Sequence, residues 1–133
     1  MSADYFSAGS LDYVRYRPRY PAPWFNWLVS QCAGRNLAWD CACGSGQATE
    51  ELAKRFCRVI GTDASEGQLR NAPMIPNVEW RLGRGAECGL VAGSVDLVTV
   101  AQALHWFDLA RFWEECHRVL KPSGIVAVWG YRT

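Results

Sequence analysis

The sequence has no C-x-x-C pair and only two histidines, His105 and His117, neither spaced as a ligand partner for the cysteines. Zinc sites of the usual spacing are therefore excluded. No apolar run approaches the ~20 residues of a membrane-spanning helix. Met1 to Ser10 lacks the basic start and apolar stretch of a secretory leader. Net charge is nearly absent, at +1 with 20% charged residues, and the arginines form no stripe. That balance offers nothing to nucleic acid or to an anionic membrane surface. Without a leader, the six cysteines read as free thiols, and Cys41, Cys57 and Cys88 adjoin apolar segments where a thiol acts as a small hydrophobe. A reduced, cytoplasmic protein is expected.

What is present is apolar mass: half of the 133 residues are hydrophobic, enough for one domain with one sizeable core. Residues 1–34 form a leading segment, and 35–133 alternate strand and helix. Prolines at 18, 21 and 23 predict a turn, followed by a helix from Trp24 to Cys32. Asn36–Cys41 reads as a buried strand, Gln47–Phe56 as a helix, and Arg58–Gly61 as a strand ending at Thr62-Asp63. Ser65 caps a helix to Asn71, and Val78–Leu82 is a third strand. Val95–Ala101 is a largely apolar run, as in a strand covered on both faces. Asp108–Leu120 is an amphipathic helix, and Ile125–Trp129 a fifth strand. Alternation of this kind predicts an α/β fold, a doubly wound parallel sheet.

The central motif is Asp40-Cys41-Ala42-Cys43-Gly44-Ser45-Gly46, a strand entering a glycine turn before a helix. Open α/β sheets bind ligands at such strand ends. A dinucleotide site adds a third glycine in G-x-G-x-x-G, and Thr49 stands in its place. Asp40, four residues before Gly44, suits a cationic ligand and repels a pyrophosphate. S-adenosylmethionine, with an ammonium and a sulfonium, meets that requirement, so a dinucleotide oxidoreductase ranks well behind. Asp63, 17 residues after Gly46, is placed to accept bonds from ribose hydroxyls, or else to cap the Ser65 helix.

These residues resemble motif I of class I S-adenosylmethionine-dependent methyltransferases, commonly D-x-G-C-G-T-G. The likeness continues through Gly61–Leu69, Gly85-Ala86-Glu87, Ser94–Val98, Gln102–Phe107 and Arg118–Gly124. In order and spacing the chain is similar to the methyltransferase type 11 group, which includes trans-aconitate and ubiquinone-pathway enzymes. Tyr16–Pro21 also looks like that group's leading segment. The resemblance implies a Rossmann-like sheet of five parallel strands, order 3-2-1-4-5, lacking the last two strands of the full class I fold.

It also implies site residues. Asp40, Ala42, Cys43, Gly44, Ser45 and Gly46 would face the methionine moiety, and Arg17 the cofactor carboxylate. Asp63 would bind the ribose, with Ala64 and Gln68 nearby, and Ala86 and Glu87 would lie beside adenine. Gln102, Ala103 and His105 would lie near the sulfonium. Ala42 and Ser45 replace the usual glycine and threonine but keep the turn small. His105 is the one candidate general base, although a loop histidine orienting the pocket is the favoured reading. Trp106, Phe107 and Trp113 could line an acceptor site or simply be core; Tyr5, Phe6, Tyr13 and Tyr16 could form a lid or pack as an amphipathic face.

The expected function is methyl transfer to a small-molecule acceptor, with S-adenosylhomocysteine as product, and with neither nucleic acid nor a membrane as partner. The alternative is a catalytically silent fragment or adaptor that keeps the fold. An uncovered edge on the fifth strand would be a template for homo-oligomerisation.

Overall fold

A computed structural model of the chain describes residues 21–41, 43, 46–83, 88–101 and 109–129. Its elements are α1 (Ala22–Ser30), β1 (Leu37–Cys41), α2 (Gln47–Ala53), β2 (Arg58–Asp63), α3 (Glu66–Arg70), β3 (Val78–Leu82), β4 (Val95–Ala101), α4 (Leu109–Val119) and β5 (Leu120–Trp129). The five strands form one sheet in the order β3-β2-β1-β4-β5, and every neighbouring pair is parallel. This is the doubly wound parallel sheet that the alternation predicted, in the order that the family resemblance implied.

Period-two side-chain alternation sorts the sheet into two faces. Ala38, Val59 and Leu97 point toward α1 and α2 and join Phe25, Leu28, Val29, Ala48, Leu52 and Phe56. Trp39, Ile60, Val98 and Val100 point the other way, onto Phe112, Cys116 and Val119 of α4. The spacing of those three α4 residues, four then three, keeps them on one helical face. Each face thus has its own helix cover, which is why β1 and β4 read as continuous apolar runs.

Two boundaries differ from the sequence expectation. Helix α1 starts at Ala22, with Pro23 inside its first turn. Proline is tolerated there because the first N–H groups of a helix have no internal partner; the prolines open the helix rather than precede it. Strand β5 begins at Leu120, directly after α4. Leu120 pairs with Val95 and Ile125 with Leu97, so the residues between them form an irregularity in the ladder. Pro122 lies in that irregular stretch, between the paired Leu120 and Ile125, where no register pair is interrupted by its missing N–H.

The amino ends of the strands are tied by Asp96, which is 3% exposed. Its Oδ2 accepts from the backbone N–H of Asn36 at 2.9 Å and of Leu37 at 3.1 Å, and its Oδ1 meets Lys121 Nζ at 3.0 Å. One carboxylate thereby links the starts of β1, β4 and β5. This device lies at the end of the sheet opposite the glycine turn, so it serves stability and leaves the ligand end open to other uses.

Candidate ligand-binding site

Strand order reverses between β1 and β4, and the carboxyl ends at such a reversal are where open α/β sheets bind ligands. The turn from β1 to α2 lies there. Cys43 N–H donates to Thr62 O at 2.9 Å and Gly46 N–H to Cys43 O at 3.0 Å. These bonds lash the turn to β2 and close it on itself. Gly46 takes φ +95°, which an L side chain rarely adopts.

A single register row crosses the sheet beneath this turn on the α1/α2 face: Trp80, Gly61, Asp40, Thr99 and Ala127. The Trp80 indole lies over both glycines. A Cβ on Gly46 would meet it at 2.6 Å, and one on Gly61 at 2.9 Å, with Cys43 Sγ at 3.3 Å. Trp80 Nε1 donates to Pro73 O at 3.0 Å, which fixes the ring. The turn therefore rests on an aromatic floor that requires glycine at both places.

Asp40 requires a correction. Its spacing suggested a carboxylate that touches a cationic ligand. The side chain instead points into the interior beneath the turn and is 1% exposed. Oδ2 accepts from Thr49 Oγ1 at 2.6 Å and Oδ1 from Thr99 Oγ1 at 2.9 Å. Alternation puts Asp40 on the face that α2 covers, so the strand geometry itself turns it inward. Burial pushes its pKa up to about 6; the two threonine hydroxyls oppose that shift, and the nearby charge of Asp63 adds to it. Thr49 and Thr99 do not stand out in the sequence as site residues. The available signal is a hydroxyl inside the apolar run Val95–Ala101, since a buried hydroxyl needs a partner.

Asp63 closes β2 and is half-buried at the same end of the sheet. Its Oδ1 accepts from Ser65 N–H at 2.9 Å. Ser65 is itself the N-cap of α3, its Oγ accepting from Gln68 N–H at 3.3 Å. The expected cap is thus in place, and Asp63 braces the loop leading into it. The Ser65 bond orients the Asp63 carboxylate at the end of β2. Ala64 and Gln68 lie beside it, both exposed. Asp40, Cys43, Gly46, Asp63, Ala64 and Gln68 are thereby gathered at the carboxyl ends of β1 and β2. Arg17, Ala42, Gly44, Ser45, Ala86, Glu87, Gln102, Ala103 and His105 lie outside the described residues, as do Asp108, Trp106, Phe107 and the aromatics before Pro21. Trp113 is 42% exposed on α4.

The thiols near this end are inert. Burial, followed by the fields of Asp40 and Asp63, pushes the Cys43 thiol far above its ordinary range. Burial likewise raises Cys41, and takes Cys88 and Cys116 to about 12. All six cysteines are unpaired with one another. Among the described residues no group of histidines, cysteines and carboxylates is placed to hold a metal ion. None of the described helices is long and apolar enough to cross a membrane.

The donor set fits an adenosyl ligand: an acid at the end of the second strand, a glycine turn at the reversal point, and a buried anion behind it. Comparison with known proteins agrees. The methyltransferase-domain family matches residues 39–128. A Dictyostelium discoideum protein named as a methyltransferase is 46% identical over 129 residues, spanning 96% of this chain and 49% of that protein. A Saccharomyces cerevisiae protein named as an S-adenosylmethionine-dependent methyltransferase is 33% identical over 132 residues, 92% of this chain and 45% of its own length. Among solved structures, a type II methyltransferase of Anaeromyxobacter dehalogenans superposes with a TM-score of 0.83 at 44% identity, covering 87% of this chain and 49% of that one. The chain spans about half the length of the relatives it matches. On its sheet order, its glycine turn and these matches, the chain belongs to the methyltransferase-domain family, with a Rossmann-like class I fold.

Proposed function

We propose that this chain binds S-adenosylmethionine and supports transfer of its methyl group to a small-molecule acceptor. The observation that carries the reading is Asp63 at the carboxyl end of β2, beside the Cys43–Gly46 turn at the strand-order reversal. When bound, the cofactor supplies an electrophilic methyl on a sulfonium. The protein's task is then alignment and exclusion of water, since a displacement of this kind gains most from orientation. Asp63, held by Ser65, accepts hydrogen bonds from ribose hydroxyls. The turn brings backbone close to the methionine end, with Gly46 and Gly61 permitting the approach over Trp80. His105 orients the pocket, and a general base is required only for an unactivated hydroxyl or carbon acid.

Titration calorimetry with S-adenosylmethionine, S-adenosylhomocysteine and NADH tests the cofactor. Binding of the first two and not of NADH is expected; tight NADH binding with neither of the others refutes the assignment. Assay of S-adenosylhomocysteine release across an acceptor panel tests turnover, and binding without release would favour the silent-fragment alternative. The six free thiols support a reducing, cytoplasmic setting. The outer side of β5, at one end of the strand order, is the surface through which a second copy would pair.

A further inference from the structure

Asp40, Thr49 and Thr99 join three elements under the turn, and the methyltransferase reading leaves this buried group without a role. Asp40 belongs to β1, Thr49 to the first turns of α2, and Thr99 to β4. All three side chains are buried. Both hydroxyls donate to the carboxylate, at 2.6 and 2.9 Å. A hydroxyl could accept from a neutral carboxyl as readily as it donates to an ionised one. One hydroxyl lies at each carboxyl oxygen, so both can donate to the ionised form, and donation by both is the arrangement that favours the charge.

Resting on the S-adenosylmethionine reading, we infer that Thr49 and Thr99 are positioning residues that hold Asp40 as an ionised counter-charge beneath the turn, acting on the cationic donor through space and not by contact. The interior has a low dielectric, so a charge one layer below a ligand is screened far less than one at the surface. Asp40 is three residues from Cys43 in the turn, close enough for its charge to oppose ionisation of that thiol after burial. Among the described residues, the groups bearing on Asp40 are Asp63 from β2, Cys41 from β1 and Cys43 from the turn. From α2 and β4 they are the two hydroxyls. Asp63 opposes ionisation of Asp40, while both hydroxyls favour it. Removing Thr49 therefore moves the protonation of Asp40 to higher pH and withdraws the counter-charge near neutrality.

The ligands themselves discriminate this role from a structural one. S-adenosylmethionine carries the sulfonium charge and S-adenosylhomocysteine does not, while both keep the ammonium. A through-space counter-charge must favour the first more than the second.

The test is calorimetric binding of both ligands to the full chain between pH 5 and 8. It compares the unsubstituted protein, Thr49→Val, Thr49→Ser and Asp40→Asn, with melting temperatures recorded for each. Thr49→Val is expected to weaken S-adenosylmethionine binding about tenfold at pH 7.5, the scale of one hydrogen bond to a charged group. S-adenosylhomocysteine binding falls less, and the loss of binding on acidification begins at higher pH. Thr49→Ser restores the affinity and the pH profile. Thr49→Val with native affinity and an unmoved profile, whatever its melting temperature, overturns the inference. Should Thr49→Val fail to fold, Asp40→Asn, which keeps the shape, decides. It is expected to lose the preference for the sulfonium ligand and the pH dependence; retaining both overturns the inference. Absence of S-adenosylmethionine binding by the unsubstituted chain overturns the cofactor assignment and this inference together.

Discussion

Asp40→Asn should make the protein more stable at neutral pH. Burial raises the Asp40 pKa from its ordinary 3.8 to about 6. A raised acid favours the protonated folded state. Its stabilising contribution is therefore complete below about pH 4, the unfolded value, and is lost as pH rises through about 6. The difference of roughly two units corresponds to about 3 kcal/mol at 1.36 kcal/mol per unit, which is the ceiling on what the charge costs at pH 7.5. Asparagine keeps the volume and removes the charge. Thr49 can donate to its oxygen and Thr99 accept from its amide, or the reverse, so no buried polar atom is orphaned. Some of the ceiling is forfeited because a neutral amide bonds those hydroxyls more weakly than a carboxylate does.

Urea unfolding followed by circular dichroism should give Asp40→Asn a gain of about 1–3 kcal/mol at pH 7.5, shrinking to about a third of that at pH 4.5. Taking the difference from the unsubstituted protein removes the other titrating groups. Glu115, for one, is held at about 2 by Arg118, and its contribution fades with the opposite sign, as pH falls. A variant less stable than the parent at pH 7.5, or a difference that does not change with pH, refutes the account of Asp40 as an ionised buried group.

Other substitutions probe the remaining parts. Gly61→Ala places a methyl 2.9 Å from the Trp80 ring and 3.3 Å from Cys43 Sγ, and overpacking there should cost about 1–3 kcal/mol in the same unfolding assay. Asp96→Ala strands the N–H groups of Asn36 and Leu37 and the ammonium of Lys121, and should destabilise by about 2–4 kcal/mol without altering ligand affinity in the folded protein. Alkylation of the native protein at pH 7.5, read by peptide mass spectrometry, should modify exposed Cys57 and spare Cys41, Cys88 and Cys116 until denaturant is added.

The parallel, doubly wound sheet was legible in the alternation of apolar strand and amphipathic helix, which admits few topologies, and its strand order came with the family resemblance. β3 and β4 match their expected bounds; Asn77 and Gly83 bracket β3, and Gly93-Ser94 precede β4. Sequence and structure part where proline is taken as a stop. Pro23 sits in the first turn of α1, and Pro122 lies in an edge strand. Both are positions at which a missing N–H breaks no bond, and sequence alone does not say which side of a strand will be open. Ser65 as a cap followed from a local rule and is found as a local bond. Asp40 did not follow, because its direction depends on which face α2 covers, and its two partners lie 9 and 59 residues away.

Those separations explain why charge is divided between the two ends of the sheet. At the amino ends, Asp96 has an ammonium and two amides, and its pKa is lowered below the usual carboxylate value despite burial. At the carboxyl ends, Asp40 has only hydroxyls and a second acid nearby, and its pKa is raised. Each sits one residue in from the end of its strand, but Asp40 is the more deeply buried and, among its described partners, has no cation. A buried carboxylate supplied with hydroxyl donors but no counter-ion is stable enough to persist, yet remains underneutralised. On the reading proposed above, a ligand that brings positive charge to the turn would relieve that condition, and the feature that costs folding free energy would be the one that favours the donor.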